Sequence, residues 1–527
     1  MSTGPIRWLQ PLRTVAAWLL DRAGCPPIVR RSLSALVFGA FVTLVLVGAA
    51  HHEVWRDEAR ALTLALEPGS WFGLVATLEN EGHPGLWHLL LRLAHGIAGT
   101  PMVLQIVAPA IGIGASALLF FGAPLPTWWR VTFLFGWVPL FECSVLCRNY
   151  GICVLLLFVF CALVSRAAPR PVLAAIALAL LANTNVYGTM MACGLGLFLV
   201  VEAVRSKVPT RLLSIVLLVI GAGIALSVWT MLPTSASKLV PSVRGKFGDL
   251  WGTAFDALRG FGATTTSLFG WLAPLAWGVV LLTALATLSM PHLAAAVLAV
   301  FAAAAWFMHR IYGPGPHHLG MLFAFLVAVT WIRAGRSEAA VTGPALPRNA
   351  WRVLLFGVWP PLLLFQGYRG LLDLKTEVEY SRSSAPELAR LLERDDLAFA
   401  VLIGEPDYYL DAMPFYRDNR IFIAREGRFG RRVSWTIDNR RELDLGELLA
   451  AARKVQREQD APVLLVIGQP VQLEPASGDV KHGYGHRFRW SAPQLEEFRA
   501  STQHLASLPA RPSRFRGDER YEVFRLR

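Results

Sequence analysis

Charge is scarce in this chain. Of 527 residues, 17% are charged and 54% are hydrophobic, whereas a soluble domain carries about a quarter charged residues. That shortage excludes a soluble enzyme, a disordered chain and a coiled coil. Cysteine is also sparse. Cys25, Cys143, Cys147, Cys153, Cys161 and Cys193 all precede residue 200, so the polar C-terminal third has no disulfide framework. No Cys-x-x-Cys pair suggests a metal site. Cys143 and Cys147 are four apart, a spacing that one buried helix face explains as well. A phosphate-cradling glycine loop is missing too: Gly404-Glu405-Pro406 and Gly468-Gln469-Pro470 are poor candidates. No internal repeat is evident.

Acidic residues are the rarer sign, 37 against 50 basic, for a formal charge of +13. Residues 1–369 hold 25 basic and 12 acidic residues, while residues 370–527 hold 25 of each. The basic excess therefore belongs to the apolar part. Membrane topology explains it better than nucleic acid does.

Apolar runs are what the chain has in abundance, and they predict a polytopic α-helical membrane protein. Arg7, Arg13, Arg22, Arg30 and Arg31 precede the first run, 32–50, with no convincing cleavage pattern. Residues 1–31 are thus expected in the cytoplasm and residues 51–83 as the first outer loop. Further runs lie near 84–98, 101–122, 131–146, 151–165, 172–186, 187–204, 212–231, 268–288, 292–308, 319–333 and 351–366. Arg166 and Arg170, then Arg205, Lys207 and Arg211, then Arg333, Arg336 and Arg348 mark inner turns. Three crossings between His83 and Cys147 would violate that pattern. Either one run lies flat or two form one bent element. About eleven spans then result, with the C-terminus outside.

Residues 370–527 change character. Leu397–Ile403 and Pro462–Ile467 read as strands and Leu443–Arg453 as a helix, which predicts a small extracytoplasmic α/β domain. Arg428, Arg431 and Arg432 form a basic cluster for head groups or an anionic glycan, or simply a solvated surface.

Asp21, Glu202 and Glu338 fall on the inner side of this topology. Glu53, Asp57, Glu58, Glu67, Glu79, Glu81, Glu142, Asp249 and Asp256 fall on or near the outer face. Loop solubility accounts for some; a reaction site would account for others. Asp57-Glu58 directly follows the first span. One carboxylate would be a general base and the other would orient an acceptor; a solvated loop fits this motif equally. His83-Pro84-Gly85 breaks the chain before an apolar run, and His83 either touches phosphate or starts a helix. Arg148 suits a phosphate with its fork of donors, or pairs with Glu142. His317 and His318 follow a Gly/Pro turn and suit phosphate better than a metal. Tyr150, Asn183, Asn185, Glu142 and Tyr187 are candidates for sugar or acceptor contacts.

Asp57-Glu58-Ala59 resembles the Asp-Glu signature of integral-membrane glycosyltransferases of the GT-C type, in particular the protein mannosyltransferase and aminoarabinose transferase branch. His83-Pro84 resembles that branch's His-Pro-Pro or Lys-Pro-Pro element, with Gly85 in place of the second proline. Arg148-Asn149-Tyr150-Gly151 resembles its Arg-Pro-Tyr or Arg-Asn-Tyr element. His317-His318-Leu319-Gly320 matches an outer-loop motif of some bacterial members. The resemblance covers residues 32–366; a soluble domain outside the membrane is common there. It implies a GT-C fold in a bacterial inner membrane. It also implies inverting transfer of one sugar from a polyprenyl-phosphate donor to a hydroxyl of a glycan, lipid or protein. Asp57 would be the base and Glu58 its assistant. Arg148, His317, His318 and His83 would meet the donor phosphate. No cofactor or essential metal is expected and no nucleic acid, only the membrane lipids, donor and acceptor. A polyprenyl-lipid transporter or flippase would want inverted repeats; a non-catalytic accessory protein would bind donor without turnover.

Overall fold

The computed structural model describes residues 10–22, 25–67, 69–71, 73–165, 170–238, 273–311, 315–335, 345–469, 471–474, 476–509 and 519–527. Asp249, Asp256, Arg336 and Glu338 lie outside them.

Among the described residues, six helices are long and apolar enough to cross a membrane: Pro27–His51, Val103–Gly122, Val186–Arg205, Thr210–Met231, Pro291–Met308 and Pro316–Ala334. The first has 25 residues, and at about 1.5 Å per residue such a helix outruns a hydrocarbon core of about 30 Å. Its Leu36 and the Leu218 and Trp229 of Thr210–Met231 are exposed. Among the described residues these apolar faces are uncovered, and they suit lipid. Tyr150–Val164 and Pro171–Ala182 are apolar but shorter. Pro316–Ala334 is buried along nearly its whole length and forms the centre of the bundle.

The crossing conflict between His83 and Cys147 has a geometric answer. Gln105 Nε2 donates to the His52 carbonyl at 2.8 Å, so helix Val103–Gly122 starts where Pro27–His51 ends. Helix Leu86–Ala98, with 13 residues, therefore begins and finishes at one end of the bundle. At the opposite end the Thr127 N–H donates to Asp21 Oδ2 at 2.8 Å, beside the N-terminal segment. The chain returns through a broken element: helix Thr127–Leu134, then a π-helical turn Val138–Glu142. Pro139 lacks an N–H and cannot continue a regular ladder. This element packs very closely on its neighbours. A Cβ on Gly112 would lie 2.5 Å from the Cys143 carbonyl oxygen, and one on Gly151 would lie 2.4 Å from it. Only glycine permits these approaches.

The C-terminal part contains a four-stranded sheet in the order Val401–Glu405, Val463–Gly468, Tyr521–Leu526, Thr502–Leu508. The first pair is parallel and the others antiparallel. Helix Leu445–Gln459 makes the crossover between the parallel strands and buries Leu445, Leu448, Leu449, Ala452 and Val455. Asp444 caps it, accepting the Glu447 N–H at 2.8 Å. The first strand begins at Val401 rather than Leu397, because Leu397 and Ala400 close successive turns. Val54, Ala59, Leu62, Trp87 and Leu104 share one apolar core with Leu388, Tyr408, Tyr409, Met413 and Tyr521. The sheet domain is thereby seated on the first loop, 51–83, and on helix Leu86–Ala98.

Candidate functional site

Helix Arg56–Leu66 opens the first loop after Trp55, whose backbone is extended. Consecutive residues on a helix diverge by about 100°, and the two acids of its first turn part accordingly. Asp57 faces outward and is 34% exposed, with Oδ2 2.8 Å from Arg148 Nη1 and Oδ1 3.7 Å from Arg56 Nε. Burial would raise its proton affinity. The charge of Arg148, backed by Arg56, outweighs burial and holds the carboxyl below its usual range. Asp57 is thus a carboxylate at neutral pH.

Glu58 turns inward and is fully buried. Its Oε1 accepts the Cys147 N–H at 2.8 Å. Its Oε2 accepts the Trp55 N–H at 3.2 Å and lies 2.8 Å from His52 Nε2. His52 Nδ1 in turn lies 2.7 Å from Glu377 Oε1, and Arg382 closes the row on Glu377 Oε2 at 2.7 Å. Burial opposes protonation of His52, but the charges of Glu58 and Glu377 win and raise its proton affinity well above normal. His52 Nε2, the Glu58 carboxylate and Cys147 Sγ lie within 4.8 Å of one another, the group of that kind found among the described residues. Burial and the Glu58 charge push the Cys147 thiol up to about 11.

The Arg148 guanidinium lies over Trp55 and Tyr150, 5.8 and 5.6 Å from the ring centroids. Its ion-pair partner is Asp57, not Glu142 as the sequence alternative had it. Glu142 instead reaches His317: Oε1 is 2.6 Å from Nδ1. The His317 ring stacks on Tyr150 at 5.3 Å and 11°, so Arg148 and His317 both pack on the Tyr150 ring. His83 lies near Arg148 and Asp57. Burial, with the Arg148 charge adding, pushes its imidazole down to about 4. It is therefore neutral at pH 7 and adds no charge for a phosphate.

His318 belongs to the scaffold. Its Nδ1 accepts the Gly315 N–H at 3.0 Å and its ring stacks on Tyr187 at 5.0 Å. Asn183 donates to the carbonyls of Ala179 and Gly223 at 2.8 and 2.9 Å, tying two helices together. Asn185 caps helix Val186–Arg205 by accepting the Gly188 N–H at 2.9 Å. Both asparagines are buried; these bonds account for Asn183, whereas Asn185 Nδ2 has no hydrogen-bond partner among the described residues.

Several residues that hold the site were given no place in it by the sequence. Arg60, one turn after Asp57, is buried and grips Glu81 through two bonds of 2.9 and 2.6 Å. It also reaches Asp411 and the Val433 carbonyl in the sheet domain. Glu519 accepts the Arg56 N–H at 3.1 Å. Glu53 accepts from Ser381, Arg382 and Ser383. Arg432 is a docking residue, on Glu67 at 2.7 Å and Glu81 at 3.3 Å, while Arg431 pairs with Asp418 and Arg428 with Glu426. The basic cluster is thus spent on protein carboxylates. A cavity of about 910 Å³ lies elsewhere, lined by Val471, Phe498, His504, Tyr521 and Phe524 of the sheet domain.

The arrangement can hold a deprotonated carboxylate beside a fixed cation and an oriented imidazole at the loop end of the helical bundle. Comparison with protein-family models and with curated proteins yields no match to this chain.

Proposed function

We propose that the chain transfers one monosaccharide from a polyprenyl-phosphate sugar to a hydroxyl of a glycan, lipid or protein acceptor, with inversion. The resemblance to GT-C transferases supports this reading, and one observation carries it: the Asp57–Arg148 pair at 2.8 Å. A hydroxyl is a poor nucleophile and needs a carboxylate to take its proton. A phosphate ester is already a good leaving group and needs cationic or hydrogen-bonding neighbours. The pair supplies both halves of that chemistry side by side.

In the proposed step the donor phosphate takes Arg148 from Asp57. The freed carboxylate accepts the proton of the acceptor hydroxyl as its oxygen bonds to the anomeric carbon. The bond from that carbon to the phosphate oxygen breaks, and the electron pair leaves with polyprenyl phosphate. Tyr150 and His317 flank the phosphate, and Glu58 keeps the base and the arginine in register. The lipid tail lies among the helices, and the site belongs to the extracytoplasmic face of a bacterial inner membrane. No cofactor enters this step.

The test is incubation of the purified protein with a panel of polyprenyl-phosphate monosaccharides and bacterial envelope acceptors, with polyprenyl phosphate detected by mass spectrometry. Release that disappears in Asp57→Asn is expected. Undiminished release by a folded Asp57→Asn protein, or none from any donor by the unaltered chain, overturns the proposal.

A further inference from the structure

We propose that Glu142 and His317 act as a dyad in which His317 Nε2 protonates the departing phosphate and Glu142 positions the ring; this rests on the transfer reading above. The two residues are 175 positions apart and meet at 2.6 Å. Glu142 is fully buried in the π-helical turn, and its Oε2 has no hydrogen-bond partner among the described residues. A buried carboxylate with one idle oxygen is costly. Holding the imidazole Nδ1–H accounts for that expense and fixes the tautomer. The ring lies flat on Tyr150 and is 32% exposed. With Nδ1 engaged, Nε2 is the nitrogen left to act.

Arg148 gives the phosphate a permanent charge but cannot give up a proton. Imidazole can. The dianion of a phosphate monoester takes up its first proton with a pKa of about 6, close to the roughly 6.5 of imidazole as a class, and such matching favours proton transfer. As the anomeric bond breaks, its electron pair goes to the phosphate oxygen. His317 Nε2–H gives that oxygen its proton and becomes neutral, keeping Nδ1–H on Glu142. Asp57 gains the acceptor's proton and releases it to water, from which His317 recovers its own. Among the described residues the titratable and charged groups facing the dyad are Tyr150, Arg148 packed on that ring, and Cys143 and Asp373, both within electrostatic reach of Glu142. His318, on the same helix, is turned onto Tyr187.

The experiment measures kcat and donor KM between pH 5.5 and 8.5, using a polyprenyl-phosphate sugar that the unaltered chain accepts. The chain's kcat is expected to fall on the alkaline side if a proton donor serves the departing phosphate. His317→Gln should lose roughly 100-fold in kcat and that alkaline limb with it. Glu142→Gln should lose roughly tenfold and move the limb, because an amide no longer holds the Nδ1–H as the carboxylate does. His317→Arg should recover donor KM but not kcat. Full kcat in His317→Arg, or an unmoved limb in Glu142→Gln, overturns the dyad while leaving the transfer reading intact. Absence of transfer by the unaltered chain with every donor sinks both. Should the Glu142 variant fail to fold, the two His317 variants still decide.

Discussion

Glu58 accepts the backbone N–H of Cys147 at 2.8 Å, and the next residue is Arg148. The acid that follows Asp57 in the chain therefore fastens the turn carrying the cation that Asp57 meets. Two neighbouring carboxylates have parted, one partly exposed beside Arg148 and one buried in the interior.

Glu58→Ala should destabilise the protein severely. It leaves His52 Nε2 and the Cys147 N–H without their partner at a site with no solvent. Breaking a buried ion pair from one side costs about 3–5 kcal/mol. Thermal unfolding in detergent should show a lower midpoint than for Asp57→Asn, whose side chain is partly exposed. Equal midpoints for the two variants would mean that the buried row does not brace the site.

Arg148→Gln should weaken transfer and also change its pH dependence. The charge of Arg148 is the main influence holding the Asp57 carboxyl low, against burial. Without it, Asp57 binds its proton at higher pH, and the acid limb of kcat/KM should move upward. The same logic fixes the linkage sign. A depressed carboxyl contributes stability above its unfolded pKa and loses it as pH falls through the folded one. An acid limb at the same pH in variant and parent would separate Arg148 from the base.

The membrane class was legible from charge alone, since scarce charge and long apolar runs admit little else. The alternation of apolar strands with an amphipathic helix after residue 397 marked the sheet domain, missing its first strand by a turn. The pairing of Asp57 with Arg148 was not legible, because Arg148 has Glu142 six residues away and Asp57 91 residues away. Local proximity favoured the wrong carboxylate. The same holds more strongly for His52 and Glu377, separated by 325 residues. Neither type nor spacing encodes such a contact; it exists because helix Trp359–Glu379 returns to the end of Pro27–His51. Asn183, Asn185 and His318 looked functional because they are polar in apolar surroundings. In the structure they satisfy backbone groups where helices begin or end, a need that every buried helix terminus has.

His83→Gln should cost less than Arg148→Gln. The imidazole is pushed down to about 4 by burial and by Arg148, so no charge is lost on replacement. A loss of less than tenfold is expected for His83→Gln, against roughly 100-fold for Arg148→Gln, in line with the greater strength of charged hydrogen bonds. His83→Lys should be worse than His83→Gln, since it sets a second cation beside Arg148 in a buried place. Side-by-side donor KM values decide this; rescue by lysine would show that the site wants more positive charge there.

Asp407 provides a pH test independent of transfer. It lies at the end of strand Val401–Glu405, buried, accepting from Asn439 at 3.0 Å with His486 Nδ1 3.7 Å away. Burial and the charge of Glu405 push its carboxyl up to about 6, with Arg425 and Asn439 opposing. A carboxyl raised on folding stabilises the folded state when protonated. That contribution is whole below the unfolded pKa and is lost as pH rises through about 6. An upward shift of about two pKa units corresponds to at most about 3 kcal/mol. Asp407→Asn cannot ionise, so its stability relative to the parent should improve as pH rises from 5 to 7, whatever constant offset the substitution carries. Thermal midpoints at several pH values give that difference directly. A difference that stays flat, or narrows, would mean that Asp407 titrates as an ordinary carboxylate and that Arg425 and Asn439 together compensate its burial.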